Sequence, residues 1–174
     1  MRTYDHFLNS NEGFIILTLA VGYLVIFFLP KRFSRAQTVL AITLGIYLVM
    51  LFDNVLCLGP FDFYDINDTS GIDVWDYVSQ LMFGPFAYLF MYGCSLIRQN
   101  RLYFFLYTAI WALISIFAEA LSWHAGVYRY RNHYQMFYSL PIYMLVLTFT
   151  LIIYQFFFRN PPLILKIKGP NNKQ

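Results

Sequence analysis

Charged residues are scarce in this sequence. Only 12% of its 174 residues are Asp, Glu, Lys or Arg, about half the share that a soluble domain carries. The net charge of +3 is too small to suggest a nucleic-acid-binding surface. Hydrophobic residues make up 59% of the chain, and its mean hydropathy is +0.53. This composition excludes a water-soluble enzyme and a disordered chain, and it favours a protein embedded in a lipid bilayer.

The motifs of common catalytic and cofactor sites are also missing. The sequence has no G-x-S-x-G nucleophile elbow, no phosphate-binding loop and no dinucleotide fingerprint. Its three histidines lack the spacing of zinc sites. The acidic stretch 59–74 lacks the spaced ligands and closing glutamate of a calcium-binding loop. We therefore expect no cofactor and no metal site.

Five apolar runs are each long enough to cross the roughly 30 Å hydrocarbon core of a bilayer as a helix. Helices satisfy their own backbone hydrogen bonds in lipid, and the alternating pattern of membrane-spanning strands is absent. The sequence predicts an all-α transmembrane bundle of five spans in one unit, residues 1–158, followed by a basic tail, residues 159–174. The predicted spans are residues 13–30, 36–58, 75–97, 102–123 and 136–158.

The charges outside the spans divide into two groups that predict orientation. Nine basic residues and no acids follow the first, third and fifth spans. Three basic residues and seven acids lie on the other side. The positive-inside rule then places the N-terminus outside and the C-terminus in the cytoplasm. The nine basic residues are Lys31, Arg32, Arg35, Arg98, Arg101, Arg159, Lys166, Lys168 and Lys173.

Both cysteines and two prolines lie within or at the ends of predicted spans. Cys57 and Cys94 differ in predicted depth by roughly 25 Å, whereas a disulfide requires Cα atoms within about 7 Å. We therefore expect them to stay unpaired. Pro85 removes a helical hydrogen bond to the carbonyl of Leu81, which predicts a kink in the third span. Pro141 likewise removes one helical hydrogen bond, near the start of the fifth span.

Apart from Asp76 at the margin of the third span, only two charged residues fall inside predicted spans, Asp53 and Glu119. Both lie about 6–8 Å below the outer end of their helix. Ionisable groups at such depth are costly, so they usually face the bundle interior or water. The matched depth predicts that the two carboxylates meet. Trp111, Ser115, Glu119 and Trp123, spaced by four, form one stripe on the fourth span.

We expect these carboxylates to belong to an outward-facing polar pocket. Tyr138, Ser139 and Tyr143 flank Pro141 and either satisfy the freed backbone groups or face the same pocket. Arg129 and Arg131 are candidate counter-ions for the two acids. The predicted ligand-binding residues are Asp53, Asn54, Glu119, Trp123, Tyr128, Arg131, His133 and Tyr138.

The last two spans resemble a family of uncharacterised small multi-pass membrane proteins of spore-forming Firmicutes. The similarity comprises Glu119, Tyr130, the loop 131–134 and the sequence Phe137-Tyr138-Ser139, and it covers about 50 residues. Tryptophans of the family are replaced here by tyrosine or phenylalanine, and its loop glycine by His133. The resemblance implies a bacterial cell-membrane protein and brings no known activity.

Three functions are compatible with this pattern. The first is a non-catalytic protein whose pocket serves binding, transport-accessory or complex-forming roles. Its partners would be the lipid bilayer, a small ligand and other membrane subunits. The second is an intramembrane enzyme that uses an acid and a base to isomerise a lipid or isoprenoid. In the third, the carboxylates pair with arginine and only hold the bundle together. We favour the first, in the bacterial plasma membrane.

Overall fold

The computed structural model describes residues 9–57, 62–67, 74–97 and 100–159. Within these ranges the chain is mostly helical, with one pair of short strands. The predicted basic tail lies outside the described residues from position 160 onward. The α-helices are α1 (Ser10–Phe28), α2 (Arg35–Leu56), α3 (Val74–Gln80), α4 (Phe83–Cys94), α5 (Arg101–His124) and α6 (Ser139–Tyr154). A 3₁₀ turn, Met136–Tyr138, precedes α6, and a π-helical turn, Gln155–Arg159, follows it.

Four segments in the described part of the chain are helical, long and apolar enough to cross a membrane: α1, α2, α5 and the continuous run Met136–Arg159. They match the first, second, fourth and fifth predicted spans. The third predicted span, residues 75–97, is not one helix. It consists of α3, with seven residues, and α4, with twelve.

The interruption between α3 and α4 is explained by Pro85. Proline has no backbone N–H, so the carbonyl of Leu81 loses its usual helical donor. The Gly84 N–H and the hydroxyl of Tyr23 on α1 reach this carbonyl, at 3.3 and 3.5 Å. Gln80 is the last residue of α3, and Leu81 and Met82 form tight turns. The predicted kink is therefore a full break, with the second helix resuming at Phe83.

The two strands lie between the helices at one end of the bundle, which we call the sheet end. Strand β1 (Tyr64–Ile66) follows α2, and β2 (Tyr128–Tyr130) follows α5. They pair antiparallel, with Tyr64 opposite Tyr130. The prediction of a purely α-helical fold missed them, because three-residue strands are too short to show an alternating pattern. Their pairing ties the connection after α2 to the connection after α5.

The opposite end of the bundle, the basic end, contains the α1–α2 connection, the start of α5 and the end of the π-helical turn. Ser34 begins α2 with a capping box, in which its Oγ accepts from the Gln37 N–H and its own N–H donates to Gln37 Oε1. The Gln37 amide also donates to the carbonyl of Phe157, at 3.3 Å. Phe33 packs edge-on against Phe158. These contacts bind the start of α2 to the C-terminal end of the last helical segment.

Apolar residues lie both inside the bundle and on its outside. A core toward the basic end includes Phe90, Met91 and Cys94, all almost fully buried. A smaller core at the sheet end is built from Ile15, Ile66, Met82 and Val127. Large apolar side chains also cover the outer helix faces, with Phe27 and Phe28 both 77% exposed. Such continuous apolar exposure suits a lipid environment. Cys57 and Cys94 are unpaired, as expected from their depths.

Candidate functional site

A cavity of about 310 Å³ lies between the helices and extends from the sheet end into the bundle. Every described element except α3 and the two short turns contributes to its lining. Most of the wall is apolar, including Leu48, Phe52, Phe83, Phe86 and Val146. The polar lining residues are Asp53, Glu119, Tyr64, Tyr128, Tyr130, Tyr134, Tyr143, Ser115, Ser122, Ser139, Thr18 and Thr150. This volume lies at the small end of the range for ligand pockets.

Glu119 on α5 is fixed by a chain of hydroxyl groups. Its Oε1 accepts from Tyr130 Oη on β2 and from Ser139 Oγ on α6, both at 2.7 Å. The Tyr134 hydroxyl lies 2.9 Å from Ser139 Oγ. Because the single Ser139 proton goes to Glu119, Tyr134 must donate to Ser139. The network joins α5, β2 and α6 around one carboxylate oxygen.

The second carboxylate oxygen of Glu119 has a different environment. Glu119 Oε2 is buried and has no hydrogen-bond partner among the described residues. The Tyr143 hydroxyl lies beside this carboxylate and is within interaction range of it, but it does not reach hydrogen-bond geometry with Oε2. A buried oxygen without a donor is costly unless something else satisfies it. Glu119 therefore presents an unused acceptor in a residue that lines the cavity.

Asp53 is held in a similar way from the other side of the cavity. Its Oδ1 accepts from the Tyr64 hydroxyl on β1, at 2.8 Å. Gln80, the last residue of α3, lies next to the same carboxylate. One turn earlier on α3, Asp76 accepts from Asn67 Nδ2 at 2.7 Å. Asp53 and Glu119 are each only 6% exposed, so neither faces lipid and both line one cavity.

Tyrosines of the two strands cover the polar end of the cavity. Burial raises the pKa of Tyr64 well above its ordinary value, and the nearby Asp53 charge raises it further. Burial likewise raises the pKa of Tyr128, with both Asp53 and Glu119 contributing. Burial and the bond to Glu119 raise the pKa of Tyr130. These hydroxyls therefore stay protonated at neutral pH, and those of Tyr64 and Tyr130 donate to Asp53 and Glu119 respectively.

Three of the eight predicted ligand-binding residues line the cavity: Asp53, Glu119 and Tyr128. Their role in binding stays a prediction. Of the two alternatives for Ser139 and Tyr143, the one in which they face the pocket agrees with their positions in its lining. Of the stripe on α5, Ser115 and Glu119 line the cavity. The other five predicted residues lie elsewhere: Asn54, Trp123, Arg131, His133 and Tyr138.

Arg131 does not act as counter-ion to either cavity carboxylate. The Arg131 guanidinium forms an ion pair with Asp65 on β1. The backbone N–H of Arg131 donates to the carbonyl of Phe63, at 2.7 Å. The strand register explains this choice, because residues just beyond β2 run alongside β1 rather than down into the bundle. The prediction that Arg131 neutralises Asp53 or Glu119 is thus corrected.

The other predicted residues that do not line the cavity have exposed side chains. Asn54 is one position after Asp53, about 100° around the helix, and is exposed. His133 follows Asn132 in a turn where both have positive φ, 62° and 47°, and this turn holds the His133 side chain outside. Trp123 and Tyr138 are 44% and 56% exposed. Trp123 stacks on the outer side of Tyr130, with ring centroids 6.5 Å apart.

Most of the cavity's other polar residues could not be predicted from local sequence patterns. Tyr64 and Tyr130 belong to strands that were not predicted, so their approach to the carboxylates had no local signal. Ser139 and Tyr143 did have one, because residues four apart share a helix face. Within the described ranges, no group of three or more His, Cys, Asp or Glu residues lies close enough to hold a metal ion.

The fold and the site together define a class: a helical protein with four helices able to cross a membrane and an internal cavity that two buried carboxylates line. Comparison with protein-family models, curated proteins and solved structures finds no match to this chain. The resemblance to small membrane proteins of Firmicutes therefore stays a prediction.

Proposed function

We propose that this protein is a non-catalytic, multi-pass protein of the bacterial plasma membrane that binds a small ligand in its internal cavity. The observation that supports this most directly is the convergence of two buried carboxylates and several hydroxyl groups on one largely apolar cavity. Convergent polar groups in a concave apolar site are the usual mark of a ligand pocket. A purely structural carboxylate would need no cavity beside it.

The distribution of charge supports an orientation with the sheet end outside. Asp62, Asp65 and Asp76 lie at the sheet end, whereas Lys31, Arg32, Arg35, Arg101 and Arg159 lie at the basic end. The positive-inside rule favours the basic end in the cytoplasm. The polar end of the cavity would then lie near the outer surface, within reach of a ligand from outside the cell.

The order of the elements supports a fifth crossing of the membrane. Helix α2 ends at the sheet end, beside β1, and α5 begins at the basic end and ends beside β2. The chain must therefore pass from one end to the other between these helices, and α3 and α4 are the described elements on that path. We propose that these two helices form a broken span. Broken helices at membrane depth are tolerated where they line a cavity, and α4 supplies part of this wall.

Cysteine labelling tests the orientation. In a background with Cys57→Ala and Cys94→Ala, we would introduce Lys31→Cys at the basic end or Gln135→Cys at the sheet end. Both native side chains are exposed. A membrane-impermeant thiol reagent added to intact bacterial cells should label Gln135→Cys at once and Lys31→Cys only after permeabilisation. The opposite pattern would overturn the orientation, and labelling of both from outside would overturn the crossing between them.

A cavity-filling substitution tests ligand binding. Ala118 lines the cavity, and Ala120, two residues on along α5, does not. Octanol should raise the melting temperature of the detergent-solubilised wild-type protein and of Ala120→Phe. It should leave the melting temperature of Ala118→Phe unchanged. The physical reason is that a phenylalanine at position 118 occupies the space that the alcohol needs. An equal response in all three proteins would indicate an effect on the detergent micelle and would contradict a pocket.

A further inference from the structure

The lining of the cavity is unbalanced in charge. Two carboxylates, Asp53 and Glu119, line it, and none of the described residues that line it is Lys, Arg or His. Arg131 could have compensated them, but it is paired with Asp65 on the neighbouring strand. Buried carboxylates are normally paired with a cation or with several donors. The described lining of the cavity thus offers two carboxyl groups and no basic side chain beside them.

The hydrogen-bond inventory shows the same imbalance. The hydroxyls of Tyr64, Tyr130 and Ser139 are used on one oxygen of each carboxylate. Glu119 Oε2 is left buried without a donor among the described residues. A partner for this oxygen must bring at least one N–H or O–H group. A charged donor suits it best, because hydrogen bonds between ionised groups are roughly twice as strong as neutral ones.

The rest of the cavity limits the body of such a partner. Away from the carboxylates, its walls are formed by aliphatic and aromatic side chains such as Leu48, Phe86 and Val146. A hydrated inorganic ion would leave these walls without contacts. A molecule with one polar end and an apolar remainder would fill both parts of the cavity, and the volume of about 310 Å³ restricts it to a small one.

We propose that the ligand of this cavity is a small organic cation, with a protonated amine or similar donor group at one end and an apolar body. The inference rests on the proposed binding function and specifies its ligand class. The cationic end lies between Asp53 and Glu119 and donates to Glu119 Oε2. The apolar body extends along α4 and α6 toward the middle of the bundle.

Three probes of equal chain length separate charge from hydrophobicity: octylamine, octanol and octanoate. We would measure their binding to the detergent-solubilised protein at neutral pH, where the amine is protonated, from the concentration dependence of the melting temperature. Octylamine should bind at least about tenfold more tightly than octanol, a ratio within the range of one charge-assisted hydrogen bond. Octanoate should bind more weakly than octanol, since a third carboxylate would repel the other two.

Matched variants test whether the preference for octylamine over octanol arises in the cavity. Glu119→Gln should remove most of the advantage of octylamine over octanol. Glu12→Gln removes a carboxylate that does not line the cavity, and it should keep that advantage. Equal binding of octylamine and octanol to the wild-type protein would overturn the organic-cation proposal and leave the binding function standing. Binding of none of the three probes would overturn both.

A second measurement avoids any change to the carboxylates. Ser122 lines the cavity one turn after Glu119, whereas Ser10 is exposed at the start of α1. In the cysteine-free background, Ser122→Cys and Ser10→Cys would be treated with a cationic trimethylammonium-ethyl or an anionic sulfonatoethyl methanethiosulfonate. The ratio of cationic to anionic rates should be at least about tenfold higher at position 122 than at position 10, since local charge concentrates counter-ions. Equal ratios at the two positions would contradict the proposal.

Discussion

Replacing Gly45 by alanine is expected to force helices α2 and α4 apart and to lower the free energy of unfolding by about 1–3 kcal/mol. These two helices form the most extensive helix pair in the described part of the bundle. A Cβ atom at position 45 would lie 2.5 Å from the carbonyl oxygen of Phe83 and 2.6 Å from the Cβ of Ala87. The carbonyl belongs to the backbone, so it cannot move without moving α4.

Denaturant unfolding in detergent or lipid nanodiscs would measure this loss. Gly13→Ala is the matched control, because a Cβ there meets nothing within 4 Å. In that helix the change should stabilise the protein, by about 0.5–1 kcal/mol. The double variant Gly45→Ala/Ala87→Gly should recover only part of the loss, since it removes the contact with the Ala87 methyl but not the one with the Phe83 carbonyl. Full stability of Gly45→Ala would contradict the close packing of α2 against Phe83 and Ala87 of α4.

The close approach at Gly45 also affects the cavity, because Gly45 and Ala87 both line it. Small residues at helix contacts are the usual way for membrane helices to approach each other closely. At this position the approach brings α4 near α2 at the depth where the apolar wall of the cavity forms. We therefore expect Gly45→Ala to weaken octanol binding as well as stability.

The parts of the fold that follow from local physics could be predicted. The four helices of membrane-spanning length follow from apolar runs, which need no knowledge of neighbouring elements. Asp53 and Glu119 stood out because charge within an apolar run is costly, and their similar depth correctly placed them at one end of the bundle. Pro85 indicated a weak point in the third span, since its missing N–H is a local property of the sequence.

The parts that depend on pairing between distant segments could not be predicted. Strands β1 and β2 have three residues each and are far apart in the chain. Their register decides that Tyr64 and Tyr130 reach the carboxylates and that Arg131 reaches Asp65 instead. No short-range pattern encodes that register. The two acids that line the cavity could therefore be identified from the sequence, but the hydroxyl partners from the strands and the pairing of Arg131 with Asp65 could not.

Replacing Glu119 by leucine and by glutamine should give very different stabilities. Leucine removes the acceptor for Tyr130 and Ser139 and leaves both hydroxyls without it. Ser139 is 5% exposed, so water does not readily replace that bond. Each buried group left without a hydrogen-bond partner costs about 1–3 kcal/mol. We therefore expect Glu119→Leu to lower the free energy of unfolding by about 2–4 kcal/mol in total. Glutamine keeps a carbonyl oxygen in the position of Oε1, so Glu119→Gln should lie within about 1 kcal/mol of the wild-type protein.

Equilibrium unfolding of both variants, with Ser115→Ala as a control, tests this network. The Ser115 hydroxyl donates to the carbonyl of Trp111 in its own helix, at 2.9 Å, and its loss should change stability little. If Glu119→Gln were as unstable as Glu119→Leu, the negative charge itself would be holding the fold together, and the carboxylate would be structural. A stable Glu119→Gln that no longer prefers octylamine would instead separate the two oxygens of Glu119. Oε1 would then stabilise the fold by accepting from the two hydroxyls, and Oε2 would bind the ligand.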